Sequence, residues 1–178
     1  MPDALVLLKS DHKTVEQLFK RYEKTTAPKE RRTIVDSIIK ELSVHAAIEE
    51  QIFYPTVRAA LPDVNDDVLE GIEEHHVLKW TLDELLSLDP TNERFHAKVT
   101  VLIEMVRHHV EEEETELFPA IREGMGRKPL QELGAELEKA KKTAPTKPHP
   151  RSPDEPPGNI LAGPVAKVID LLGDKIKH

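Results

Sequence analysis

The sequence predicts an all-α protein: an up-down-up-down four-helix bundle formed by a duplicated helical hairpin, with a short extra helix and a C-terminal tail. Three observations predict it. Apolar residues recur at spacings of three and four along four separate stretches, the period of an amphipathic helix. Leu, Glu, Lys and Ala are plentiful and aromatic residues make up only 4% of the 178-residue chain, a helix-forming composition. One pattern occurs twice: a His followed four residues later by a Glu and ten residues later by a Pro, at His45, Glu49, Pro55 and at His109, Glu113, Pro119.

The first helix is expected over residues 3 to about 26, with Leu5, Leu8, Val15, Phe19 and Tyr22 on one stripe and His12 filling the gap in step. After the turn at 25–28, the second carries Ile34, Ile38, Leu42, His45, Glu49 and Ile52, and Pro55 is expected to kink or end it. Leu61-Pro62-Asp63 breaks the chain before a third helix with Val68, Ile72, His75, Leu78, Leu82 and Leu85 on its buried face. Asp89-Pro90-Thr91-Asn92 offers helix-starting side chains for a fourth, which runs Phe95, Val99, Leu102, Val106, His109, Glu113, Leu117.

A short helix at about 128–142, through Leu130, Leu133 and Leu137, is expected to cap the bundle and complete a domain over 1–142. Residues 143–158 hold six Pro without apolar periodicity and read as an extended, mobile linker. The stretch 159–178 reads as a short amphipathic helix.

The two halves align beyond the repeated pattern. His12 to His45 spans 33 residues and His75 to His109 spans 34, and both His12 and His75 are followed by apolar residues at +3, +7 and +10. This register selects His75 over His76. The short loops then favour antiparallel neighbours in a bundle.

Composition narrows the function. The chain contains no Cys, which removes thiolate metal sites, iron–sulfur clusters and thiol catalysis. A net charge of -8 argues against nucleic acid as the main partner, because phosphate binding needs a basic surface. Neither a signal peptide nor a membrane-spanning apolar run is found, so the expected location is the cytoplasm.

His12, His45, His75, His109, Glu49 and Glu113 all fall on interior stripes. An unpaired buried carboxylate costs several kcal/mol, and two close together cost more through repulsion. Neutral imidazoles cannot balance them; a pair of divalent or trivalent metal ions can. Imidazole and carboxylate donors suit iron, and also zinc or manganese. The Glu-x-x-His pattern of ferritin-like proteins does occur, at Glu73/His76 and Glu93/His96, but the turn at 89–92 keeps those pairs from meeting at one centre. His76, His96 and His108 lie off the stripe and read as surface residues, and Glu50, Glu112, Glu114 and Glu116 as a solvated acidic face. Tyr54 stands where the second repeat has Phe118 and is expected to pack, with a hydrogen bond to a ligand or a phenolate near the metal as the alternatives.

The order His, then His-x-x-x-Glu, repeated once with a trailing Tyr-Pro or Phe-Pro, resembles the hemerythrin-like family of His/His/Glu cation-binding domains over residues 3 to about 123. The resemblance implies a non-haem centre of two iron ions, oxo- or hydroxo-bridged, held by His12, His45, Glu49, His75, His109 and Glu113. It also implies a small ligand: dioxygen, hydrogen peroxide or nitric oxide. The chain departs from the oxygen-carrying hemerythrins at Lys79, where they resemble it in fold but place a further His, and at His109-x-x-x-Glu113, where they have His-x-x-x-x-Asp. One ligand fewer favours redox chemistry on peroxide or nitric oxide, in oxidative or nitrosative stress defence, over reversible oxygen storage. A sensor of oxygen, nitric oxide or iron is the alternative.

Overall fold

A computed structural model of the chain describes residues 2–159; the helix expected from 159 to 178 lies, apart from Asn159, outside the described residues. The fold is a helical bundle in which α1 (Ala4–Lys24) packs on α2 (Pro28–Ile48), α4 (Asn65–Ser87) on α5 (Glu93–Glu112), and α2 on α4. Caps fall where the sequence supplies short acceptors. Asp3 accepts from the Val6 N–H at 3.0 Å to start α1, and Asn92 accepts from the Arg94 N–H at 2.9 Å to start α5.

Neither Pro55 nor Pro119 ends its helix. After α2 the chain makes one π-helical turn, Glu49–Phe53, and continues as α3 (Tyr54–Ala60); after α5 it makes another, Glu113–Leu117, and continues as α6 (Phe118–Met125). Proline has no N–H to give and its ring collides with the carbonyl four residues back, so the ordinary register cannot hold. Bonds from the Tyr54 N–H to the Glu49 carbonyl and from the Phe118 N–H to the Glu113 carbonyl take the longer step instead. Each extra residue in the turn re-aims the side chains beyond it, and Tyr54 and Phe118 both point inward, buried.

The apolar core is split. One cluster, with Phe19, Tyr22, Ile38, Leu82, Phe95 and Leu102, fills the end bearing the α1–α2 and α4–α5 loops. The other, with Leu8, Ile48, Phe53, Tyr54, Val68, Phe118 and Ile121, fills the opposite end and is closed by α7 (Arg127–Lys141) through Leu130, Leu133 and Leu137. Between them every helix of the bundle carries a buried His, so a polar layer crosses an otherwise apolar interior.

The expectation of a mobile linker at 143–158 is corrected. These residues lie against the bundle: Ala144 is buried, Asp154 reaches Lys79 and His76, Glu155 pairs with Arg58, and Gln51 donates to the Asn159 carbonyl. Many Pro without helix periodicity rule out a helix, but they do not prevent docking by ion pairs.

Helix α7 approaches the N-terminus at Gly134, where a Cβ would lie 2.6 Å from the Pro2 carbonyl oxygen and 2.8 Å from the Ala4 nitrogen. Gly134→Val is expected to push α7 off α1 and destabilise the fold by about 1–3 kcal/mol. Thermal unfolding checks this, and an unchanged melting temperature would mean that α7 adapts without loss.

Candidate metal centre

The polar layer brings all six sequence-selected residues together in two groups that share Glu49. His12, His45, Glu49 and Glu113 converge on one point, and Glu49, His75 and His109 on another. All are buried, with Glu49 at 0% and Glu113 at 3% exposure. The first helical hairpin supplies His12 and His45, whose Nε2 atoms are 3.1 Å apart; the second supplies His75 and His109, 3.2 Å apart.

The two carboxylates tie the pairs together. Glu49 Oε2 is 3.1 Å from His45 Nε2 in its own hairpin and 3.5 Å from His75 Nε2 in the other. Glu113 Oε2 is 3.6 Å from His109 Nε2 and 3.2 Å from His12 Nε2. Each glutamate therefore spans both imidazole pairs.

Behind each imidazole stands another carboxylate, on the Nδ1 side. His12 Nδ1 is 2.8 Å from Glu114 and His109 Nδ1 is 2.6 Å from Glu74; His45 Nδ1 is 3.6 Å from Asp11 and His75 Nδ1 is 3.4 Å from Glu50. A carboxylate accepts, so His12 and His109 donate from Nδ1 and turn Nε2 inward. Burial would lower the His109 pKa, but Glu113 and Glu74 outweigh it and raise it, so a metal there takes the place of a proton. At 3.1 Å the Nε2 atoms of His12 and His45 either share one proton or turn two lone pairs to a common cation. Nitrogens about 2.1 Å from one ion and at right angles to it would lie about 3.0 Å apart. Glu49 Oε1 and Oε2 and Glu113 Oε2 are also buried without a hydrogen-bond partner. The residues thus fit metal ions in both donor chemistry and spacing.

Charge states follow from this packing. Burial pushes Glu49 well above the usual carboxylate range, and Glu113, Asp11 and Glu50 add to it. Burial alone would raise Glu113 too, but His109, His12 and His45 outweigh it and hold Glu113 low. Burial pushes His45 down to about 4 against the pull of Asp11, and lowers His75 against that of Glu50. Neutral imidazole is the form that binds a metal.

Tyr54 and Phe118 occupy matching places with different consequences. Phe118 stacks on His12 at 5.9 Å between ring centroids, and Tyr54 lies tilted against His75 at 5.6 Å. Only Tyr54 has a hydroxyl, which donates to Glu113 Oε1 at 2.9 Å. Gly71 leaves room for it, because a Cβ there would come within 3.0 Å of the phenol oxygen.

Lys79, where the oxygen carriers have a His, points away from the layer and donates to Glu50 Oε2 at 2.8 Å. A cavity of about 90 Å³ touches all four imidazoles and is otherwise bounded largely by Val15, Leu42, Leu78, Met105, Val106 and Val110.

The four supporting carboxylates escaped the sequence reading, and two of them correct it. Glu50 is buried and Glu114 half-buried against His12, so neither belongs to a solvated face. The duplication carried a signal: an acidic residue precedes both His12 and His75, and another follows both Glu49 and Glu113. His76 and His96 are partnered, by Asp154 at 3.0 Å and Tyr22 at 3.3 Å, but stand outside the layer.

Fold and site together define a helical bundle with buried His and Glu groups able to hold metal. The profile of the Hemerythrin HHE cation binding domain matches residues 3–121, and the chain belongs to that family. It is 29% identical over 135 residues to a DNA nickase of Nostoc sp., a match covering 76% of this chain but only 38% of that protein, so the chain spans well under half the length of this relative. It is 27% identical over 143 residues to an uncharacterized hemerythrin-like protein of Schizosaccharomyces pombe, covering 80% of this chain and 70% of that one. A hemerythrin HHE cation binding domain-containing protein from Mycobacterium kansasii shares the fold, with a TM-score of 0.66 at 24% identity over 80% of this chain and 89% of that chain. Among the described residues no helix is long and apolar enough to cross a membrane.

In the metal-free protein, Glu49→Gln removes a carboxyl that must either take up a proton or bury its charge on folding, and is expected to stabilise the fold by about 1–3 kcal/mol at neutral pH. The sign comes from the raised carboxyl: the folded state prefers the proton, so stability falls as pH rises above 4.5 toward the folded value. Denaturant unfolding at about pH 5 and about pH 7.5 should show the wild-type apoprotein losing more stability across that interval than the variant. Equal losses would place the Glu49 charge in solvent.

Proposed function

We propose that this protein holds two iron ions through His12, His45, Glu49, His75, His109 and Glu113 and uses them to bind or react with hydrogen peroxide, nitric oxide or dioxygen. Oxidative or nitrosative stress defence is the setting this chemistry serves. The observation that carries the reading is the reach of Glu49 and Glu113 across both imidazole pairs, the arrangement that two neighbouring cations need. The family membership supports a cation, and the absence of thiolates favours iron over softer metals.

When bound, an iron pair supplies Lewis acidity and electrons for redox change. The protein's own residues do the rest. Glu114 and Glu74 fix the His12 and His109 rings with Nε2 inward, and Tyr54 fixes Glu113 by hydrogen-bonding one oxygen, leaving the other to face the imidazoles. The apolar walls of the cavity favour a small uncharged molecule. At about 90 Å³ it has room for a molecule of a few heavy atoms.

Metal analysis of the purified protein should find two irons per chain, and added hydrogen peroxide should release oxygen while the visible spectrum changes. Iron without turnover would turn the reading to a sensor or iron-binding protein; no metal would defeat it. His109→Ala should lower the iron content to one or less per chain, and a content still at two would remove His109 from the ligand set. Tyr54→Phe should keep both irons and change the peroxide rate by about tenfold, since one hydrogen bond to a charged group is worth roughly 1.5–3 kcal/mol in net terms. An unchanged rate would make the phenol a packing group alone.

A further inference from the structure

Residues 143–159 lie beyond the matched domain, which ends at 121, yet they reach the metal centre. Asp154 Oδ1 accepts from Lys79 Nζ at 2.5 Å, Lys79 Nζ also donates to Glu50 Oε2 at 2.8 Å, and Glu50 Oε1 lies 3.4 Å from His75 Nδ1. Lys79 and Glu50 are 8% and 5% exposed, so their charges are poorly screened. Asp154 is itself fixed: its other oxygen is 3.0 Å from His76 Nδ1, and its carbonyl accepts from Asn159 Nδ2 at 3.0 Å.

The other half of the duplication is built differently. Glu114, the counterpart of Glu50, has a side chain 32% exposed, sits closer to its imidazole at 2.8 Å, and meets Lys9 only at 3.5 Å. The docked segment therefore acts on the His75 side, as Lys141 of α7, 2.5 Å from Asp11, acts on the His45 side.

We propose that the 143–159 segment sets the charge behind His75, with Asp154 as a positioning residue that offsets Lys79 and leaves Glu50 available to the imidazole. The inference rests on the di-iron reading above. Glu50, Lys79 and Asp154 together carry one net negative charge; without Asp154 they carry none, and Lys79 draws on Glu50 alone. A carboxylate behind a ligating imidazole makes the ring a stronger donor, which favours the oxidised metal and slows its loss. Asp154 thereby holds the His75 side at a lower potential and retains its iron.

The test uses the iron-loaded full chain, measuring the midpoint potential by spectroelectrochemistry and iron release to a ferrous chelator. Asp154→Asn keeps the shape and removes the charge; its potential should rise and its iron should leave on the order of tenfold faster. Lys79→Gln removes the opposite charge, and its potential should fall. Glu155→Gln breaks the neighbouring anchor to Arg58 without touching the charges behind His75, and its potential should match the wild type. Shifts in the same direction for Asp154→Asn and Lys79→Gln would overturn the proposal, since loosening the segment would act alike in both. So would an equal shift in Glu155→Gln, or none in Asp154→Asn. These outcomes leave two irons in the wild type; a wild-type protein without redox-active iron would instead defeat the di-iron reading itself.

Discussion

Two carboxylates buried in the middle of an apolar bundle are the constraint on which the rest of the structure depends. Glu49 and Glu113 lie between two hydrophobic clusters, at a depth where an unpaired charge costs several kcal/mol. Their free oxygens face imidazole nitrogens rather than solvent, and the His12 and His109 rings are themselves turned with Nε2 inward. Without a balancing cation this layer opposes folding, because its carboxylates have, among the described residues, no other buried partner of opposite charge in reach.

The π-helical turns are part of the same arrangement. Each begins at a motif glutamate and is forced by the proline six residues on, so the residue that supplies the carboxylate also starts the change in register. That change carries Tyr54 and Phe118 onto the imidazoles of the opposite hairpins. Substituting a hydroxylated ring for a plain one then breaks the near two-fold symmetry, because Glu113 gains a hydrogen bond that Glu49 lacks.

A second break in symmetry comes from outside the duplicated unit. The docked 143–159 segment adds Asp154 to the Lys79–Glu50 pair on the His75 side. Duplication yields two similar halves, and a few unduplicated ion pairs make them chemically unequal. Lys79, one turn after His75 and a candidate in the sequence for supporting the centre, does so at one remove: it serves the carboxylate behind His75 and not the His/Glu layer itself.

Helix period and the repeat together made the bundle, its four helices and the six inward His and Glu residues legible in the sequence, because burial on a helix is read directly from spacing. Pro55 signalled a kink or an end and left the choice open, because a proline limits the register and not the existence of the helix beyond it; the structure shows a π turn and a continuing helix. Glu50 and Glu114 were unreadable by the same period, which assigns one face to each position and cannot show that an acidic residue beside the stripe turns toward a ring on another helix. The segment at 143–158 was harder still: with no periodicity, its docking is decided by ion pairs to residues as distant as Arg58 and Lys79. By itself, then, the sequence determined which side chains enter the interior, since that is set by local geometry. Only the tertiary structure decided how the four supporting carboxylates, Tyr54 and Asp154 are partnered, since those contacts form between elements that no local spacing relates.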